Sequence, residues 1–379
     1  MIPLFKVFMN PAVTEIVNPT LVSGFISQGA RVEEFETKLR SLFDHPYLVT
    51  LNSATSGLTL ALRMIKDKYN LQETDEVLSS PLTCMATNEP ILANNLRIKW
   101  VDVDPKTCNI DLSDMERKIS KTTRVLLFVH WGGNPLNMDK LTEVLDKKEK
   151  EFGFRVQVIE DCAHAMLAEW NGRKLGTTGN YAVYSLQAIK HLTTGDGGVL
   201  LLPTEGDMEE AKLLRWFGID REKRNFKGKD FRLEGDVERW GYKFHMNDIN
   251  ASIGLANIQS VNDIVKKHRD NSLYYDNQLQ NLPGIHLLEK SEKGITASWI
   301  YTLLVDRLEV FIEYMKGKNI TVSSVHKRND VHTCFKQFRT DLPQLDKLES
   351  KYVCIPVGWW LTEIDRKYIV QIIKEFSVL

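Results

Sequence analysis

VIEDCAHAMLAEWNGRKLGTTGNYAVYSLQAIKHLTTGDGG, residues 158–198, is the stretch on which the reading of this chain turns. Its apolar start closes on the acids Glu160 and Asp161, and His164 follows three residues after Asp161. A second apolar run, YAVYSL at 181–186, leads into Lys190, 29 residues beyond Asp161. Thr193-Thr194-Gly195-Asp196 then leads into a third run, GGVLLLP at 197–203. Three short apolar runs bounded by turn residues read as three strands.

Upstream the same alternation continues. RVEEFETKLRSLF (31–43) carries apolar residues at helical spacing, and YLVTL (47–51) reads as a strand. NSATSGLTLALRMI begins with small residues at 52–57 and reads as a turn opening a helix. Strands are expected at 76–81, 98–104, 124–131 and 155–162, with helices at 86–95, around 113–119 and at 138–151. RVLLFVHW (124–131) is apolar throughout, which suits burial on both faces. Strand and helix taking turns imply βαβ crossovers and a mostly parallel sheet. After about residue 247 the pattern changes. Residues 248–282 read as a long helix or a pair, followed by strands at 298–305 and 352–356 and helices at 307–317 and 362–377. The chain is too long for a single growing core. The division expected is a large domain at 1–250 and a smaller α+β domain at 251–379.

Lys+Arg number 49 against Asp+Glu 50, so there is no global field to draw nucleic acid or an anionic membrane. Five scattered cysteines with no CxxC pair argue against a disulfide framework or a structural zinc site and suit a reducing compartment. The start, MIPLFKVFMNPAV, lacks the long apolar segment of a signal peptide, and no apolar run reaches the roughly 18 residues of a membrane span. The expectation is a cytoplasmic protein without metal, membrane or nucleic-acid partners.

The chemistry follows from what pyridoxal phosphate demands. It needs an amine to bond its aldehyde, a carboxylate to keep its pyridine nitrogen protonated, and donors for its phosphate. Such donors are best supplied by N–H groups at a helix start together with hydroxyls. The chain offers Lys190 for the first, Asp161 for the second, and Ala54, Thr55 and Ser185 for the third, with His164 placed to meet the ring.

NSATSGL, SPLTCMAT, VIEDCAHA, SLQAIKHLTTGDGG and GYKFHMNDINASIG occur in this order in the chain. Together they resemble the DegT/StrS family of sugar-nucleotide aminotransferases over roughly residues 10–260. The resemblance implies the aspartate-aminotransferase-like fold type I and a homodimer with active sites at the subunit interface. It also implies L-glutamate as amino donor and a 3-keto or 4-keto sugar nucleotide as acceptor, on the way to a glycan or surface polysaccharide. By it Lys190 is the Schiff-base lysine and proton shuttle, Asp161 pairs with the pyridine nitrogen, and Ser185 with the Ala54-Thr55 backbone holds the phosphate. Lys243 falls where many relatives carry an asparagine reaching the phosphate of the neighbouring subunit. The aromatic that many members stack on the cofactor is Cys84 here, so stacking has to come from elsewhere. A related dehydratase would carry histidine in place of the lysine; here Lys190 is present and His191 comes one position later. A non-catalytic sensor on the same fold is the remaining alternative.

Other residues carry two readings each. His130-Trp131-Gly132-Gly133 is a structural turn or a substrate contact. The donor-rich cluster around His326, Arg328 and Asn329 suits a diphosphate or a glutamate carboxylate, or else is a solvated loop. Arg221-Glu222-Lys223-Arg224 reads as a polar loop, and Trp359-Trp360 as core or as the lining of a cleft.

Overall fold

The computed structural model describes residues 1–221 and 236–379. Its centre is a seven-stranded sheet whose strands run, in spatial order, Leu48–Leu51, Gly198–Leu201, Tyr181–Ser185, Gln157–Asp161, Thr123–Val129, Glu76–Ser79 and Arg97–Trp100. The strand Gly198–Leu201 is antiparallel to both of its neighbours, and the other pairings are parallel. The mostly parallel sheet read from the sequence is therefore present, with one reversed strand inside it.

Alternate residues of the strands feed separate cores, as a period of two requires. Leu126 and Phe128 enter one core together with Leu48, Leu78 and Leu201. Val125 and Leu127 enter the other together with Val49, Val77, Ile159 and Val183. The first core is covered by the helix Ala30–Phe43, whose Val32, Phe35, Leu39 and Phe43 fall on one face, and by Met138–Phe152. The second is filled by the helix Ala54–Lys68, buried along most of its length. Arg215, at the end of the helix Glu205–Leu214, forms a buried pair with Glu36 at 2.6 Å and also donates to the Thr50 carbonyl at 2.8 Å. Burial raises the Glu36 carboxyl, but Arg215 and Thr50 overcome this and hold it below its ordinary value.

The expected long helix or pair at 248–282 is a pair, Asp248–Asn257 and Val261–Leu279, joined by a short 3-10 turn. Val261 and Val265 still lie in the first core, whereas Tyr275 and Leu279 belong to a third. That third core sits against an antiparallel sheet of Ile285–Leu287, Tyr301–Val305 and Tyr352–Ile355, covered by Leu308–Gly317 and Glu363–Ser377. Thr362 and Asp365 close the start of the last helix with a capping box. The first residues of the chain join this end of the molecule: Ile2 pairs with Ile320, and Trp360 Nε1 donates to the Pro3 carbonyl at 3.1 Å. Among the described residues no helix is long and apolar enough to cross a membrane.

Candidate active site

The helix Ala54–Lys68 starts at an N-cap, Ser53, whose hydroxyl accepts the Ser56 N–H at 3.1 Å. The N–H groups of Ala54 and Thr55 precede the first intrahelical bond and point out of the helix at its positive end, a ready anion site. Strand pairing brings the other donor to the same place, because Gly198 lies opposite Leu51 on one side and opposite Ser185 on the other. A side chain at Gly198 would come within 2.5 Å of the Ser53 carbonyl oxygen and 2.7 Å of the Ala54 nitrogen. Only glycine lets this strand pass the helix start. Ser185 is buried and its oxygen accepts the Gln187 N–H at 3.3 Å, which leaves the hydroxyl proton to donate elsewhere.

Asp161 ends its strand at the centre of the sheet, opposite Val129 and Val183, and is buried. Its carboxylate accepts the Thr87 hydroxyl at 2.7 Å and the Ala163 N–H at 3.0 Å. Burial raises its pKa above the ordinary value, against these two donors and the nearby Lys190 charge. Lys190 lies in the turn after Tyr181–Ser185, its N–H donating to the Gln187 carbonyl at 3.0 Å. Burial lowers its amine to about 7, although Asp161 and Cys84 favour the charged form. An amine with that value is substantially neutral and nucleophilic near neutral pH.

His164 is buried and packs its ring on Trp299, with centroids 4.1 Å apart and planes 22° from parallel. Its Nδ1 accepts the Gly132 N–H at 3.3 Å. The ring of His326 lies parallel to it, 5.6 Å away. Burial first, and Lys190 second, hold His164 well below the ordinary histidine value and push His326 down to about 4. Both are neutral near pH 7 and present hydrogen-bonding rings without charge.

The structure thus brings Lys190, Asp161, His164 and His326 together, with Ala54, Thr55 and Ser185 at the neighbouring strand ends. It gives other work to two residues expected near substrate. Arg328 is buried and bound to Asp330, Asp346 and Glu349. Asn329 is buried, donates to the Thr83 carbonyl at 2.9 Å, and accepts from Asn88 at 2.8 Å, so it fixes the loop before Cys84. Lys243 is exposed beside the helix start, its carbonyl accepting from Asn52 at 3.4 Å.

The two-way readings also find places. His130 is buried, its Nε2 3.2 Å from Glu160 and its Nδ1 accepting the Leu136 N–H, so 130–133 is a structural turn. Gly133 has φ +85°, and a side chain there would lie 2.4 Å from the His164 carbonyl oxygen. Trp359 and Trp360 clasp the start of the chain, Trp359 against Phe8 and Trp360 on Pro3. Arg221 donates to the Gln28 carbonyl, while Glu222, Lys223 and Arg224 lie outside the described residues.

Two residues of the site escaped the sequence reading. Thr87 stands three positions after Cys84 and ends the motif SPLTCMAT, but no role falls to it there; a hydroxyl in the first turn of a helix is the available signal. Trp299 lay within a segment read only as a strand. A buried carboxylate, a partly neutral amine and a helix-start cradle with a hydroxyl beside it are the set that pyridoxal phosphate requires.

Comparison with known proteins agrees. The model of the DegT/DnrJ/EryC1/StrS aminotransferase family matches residues 9–374. The structure is similar to AtS13 from Actinomadura melliaura, at 46% identity and a TM-score of 0.94, over 99% of this chain and 98% of that one. It is also similar to the sugar aminotransferase CalS13 from Micromonospora echinospora, at 42% identity and a TM-score of 0.94, over 99% and 100%. The spore coat polysaccharide biosynthesis protein SpsC of Bacillus subtilis is 26% identical over 95% of this chain and 92% of its own. The chain belongs to the DegT/DnrJ/EryC1/StrS aminotransferase family and is a pyridoxal-phosphate-dependent transaminase of fold type I.

Proposed function

We propose that this chain transfers the amino group of L-glutamate to a 3-keto or 4-keto sugar nucleotide, in the cytoplasm, as a homodimer with its active sites at the subunit interface. The observation that carries the reading is the amine of Lys190, lowered to about 7 by burial and set within the field of the buried Asp161. Lys190 is the residue that bonds the cofactor. Asp161 holds a proton at the ring nitrogen, steadied by Thr87. Ala54, Thr55 and Ser185 hold the phosphate, and His164 orients the ring. Lys243 reaches toward the phosphate of the neighbouring subunit as a mobile point charge. His326 meets the acceptor sugar, while Arg328 anchors its own loop through Asp330 and Asn329 fixes the loop before Cys84.

Bound pyridoxal phosphate supplies an electron sink and a carrier for the amino group between two half-reactions. In the first half-reaction Lys190, as the neutral amine, takes the proton from Cα of glutamate. In the second the same nitrogen runs the exchange in reverse and, as the ammonium, delivers a proton to the former carbonyl carbon of the sugar, which so becomes the amino-bearing carbon. A pKa near 7 serves both directions. The neutral rings of His164 and His326 keep the pocket free of further cations, so the charge of Lys190 answers mainly to Asp161 and Cys84. Two substrates using one site in turn give ping-pong kinetics.

Support for the sugar comes from CalS13, described as a sugar aminotransferase, and for a polysaccharide destination from SpsC. Dehydration finds less support: His191 is buried against the ring of His268 at 4.4 Å, while Lys190 keeps the reactive position. The test incubates purified protein with L-glutamate and a panel of 3-keto and 4-keto sugar nucleotides, read by mass spectrometry. An amino sugar and 2-oxoglutarate are expected, and neither is expected with Lys190→Ala. A deoxygenated ketone as the product, or full function of Lys190→Ala, overturns the reading.

A further inference from the structure

Trp299 is 2% exposed and lies on the segment that enters the strand Tyr301–Val305 of the small sheet. Its backbone N–H donates to the Gly132 carbonyl at 2.9 Å, which fixes the residue beside the turn under His164. Its indole Nε1 donates to the carbonyl of Ile189 at 3.0 Å, the residue immediately before Lys190. Phe5 stacks on the indole at 5.2 Å and 24°, and His164 at 4.1 Å and 22°. The amine of Lys190 stands 3.4 Å from the centroid of the ring.

A buried tryptophan that only filled space would need none of this directionality. Here the indole N–H fastens the turn that carries the lysine, and the aromatic face meets the end of that lysine's own side chain. The face of an indole is the strongest aromatic partner for a cation, more so away from water.

We propose that Trp299 is the resting platform of the free Lys190 side chain. Whenever the lysine is not bonded to the cofactor, its nitrogen sits over the indole face, the Ile189 tether keeps it there, and the ring favours the ammonium over the neutral amine. This rests on the reading of Lys190 as the residue that bonds the cofactor. It adds a positioning residue that reaches the reacting nitrogen from the small-sheet side of the molecule.

The groups facing that nitrogen define what the platform adds. Asp161 and Cys84 favour the ammonium, and burial opposes it. His164, His191 and His326 feel the lysine charge, and burial holds all three neutral. Trp299 stabilises the ammonium without carrying a formal charge, so it does not compete with Asp161 for a proton. The lysine has to act as base and as acid within one turnover, and the platform keeps the acid form available near pH 7.

The test uses the cofactor-free protein. Addition of pyridoxal phosphate, borohydride reduction and peptide mapping come first; a label anywhere other than Lys190 sinks the reading of the lysine, whatever Trp299 does. With Lys190 labelled, the pH dependence of its modification by trinitrobenzenesulfonate is followed by mass spectrometry in wild type, Trp299→Leu and Trp299→Phe. Leucine should lower the apparent pKa of the amine by about one unit, the size of a desolvated cation–aromatic contact. Phenylalanine keeps an aromatic face but loses the N–H, and should retain at least half of the wild-type value's advantage. Equal titration of leucine and wild type overturns the proposal, and so does phenylalanine behaving as leucine does, because the tether alone then explains the effect. Should the leucine variant not fold, tryptophan emission decides. A pH step at the amine's pKa is expected in cofactor-free wild type and is expected to vanish in Lys190→Met; its persistence there overturns the platform.

Discussion

Thr87 donates its hydroxyl to Oδ2 of Asp161 at 2.7 Å, and Thr83 stands behind it, hydroxyl to hydroxyl at 2.7 Å. The helix Met85–Ala93 therefore steadies the acid at the end of a strand with which it shares no backbone pairing. Thr87→Val keeps the shape and removes the donor. A hydrogen bond to a charged group contributes about 1.5–3 kcal/mol, so affinity for pyridoxal phosphate should fall by about tenfold or more. Equilibrium dialysis measures it, and an unchanged dissociation constant would mean that Thr87 only packs.

The lysine makes a prediction in pH. Only the neutral amine attacks an aldehyde, and burial has brought this amine down to about 7 from its ordinary value near 10.5. The rate at which cofactor-free protein binds pyridoxal phosphate covalently should rise with pH up to about 7 and then flatten. Stopped-flow absorbance in the visible follows it. A rate still climbing toward pH 10 would place the amine in water.

Arg328 and His326 are neighbours in sequence with different expected phenotypes. Arg328→Met leaves the buried Asp330 without its partner, a loss of about 3–5 kcal/mol. Denaturant titration should show it, with the remaining folded enzyme keeping its KM for the keto sugar. His326→Gln should do the reverse, raising that KM several-fold while the denaturation midpoint hardly moves.

Gly198→Ala probes the phosphate cradle without removing a donor. The added methyl meets the Ser53 carbonyl and the Ala54 nitrogen, both backbone atoms that cannot rotate away. Binding of pyridoxal phosphate should weaken by an order of magnitude or so, the range of a backbone displacement costing about 1–3 kcal/mol. Binding of unphosphorylated pyridoxal should change far less. Equal losses for both ligands would show that the strand, rather than the cradle, had moved.

His268 is 3% exposed, its Nδ1 held to the Ser298 carbonyl, and burial lowers it from 6.5 to about 4. The folded state keeps this ring neutral, so its contribution is present above pH 6.5 and is lost as pH falls toward 4. The loss amounts to at most about 3 kcal/mol. Denaturation midpoints measured between pH 6.5 and 4.5 should fall more steeply for wild type than for His268→Gln.

The parts of this molecule that could be read from sequence were those with a local cause. The continuous apolar runs of Thr123–Val129 and Tyr181–Ser185 and the helical spacing of Ala30–Phe43 each state their structure within one segment. The end of Gln157–Asp161 and the start of Ala54–Lys68 belong to the same class, because strand ends and helix starts announce themselves. What stayed hidden depends on partners far along the chain. The helix Val13–Ser23 carries a proline and little periodicity and was not foreseen. Arg328 and Asn329 looked like free donors because Asp346, Glu349 and Asn88, which occupy them, are 18 to 241 residues away in sequence. Trp299 is adjacent to Lys190 only through the meeting of two sheets.

The pairing of Ile2 with Ile320, and of Pro3 with Trp360, bears on how the chain reaches its native form. Contacts between residues more than 300 apart lengthen the search and slow the final docking. The segment around Pro3 and Phe5 takes its place only against Ile320, Trp360 and Trp299, so its docking waits on the small sheet. A bulky fusion ahead of Met1 would be felt there, as sluggish acquisition of activity after synthesis, long before it altered the sheet at the centre.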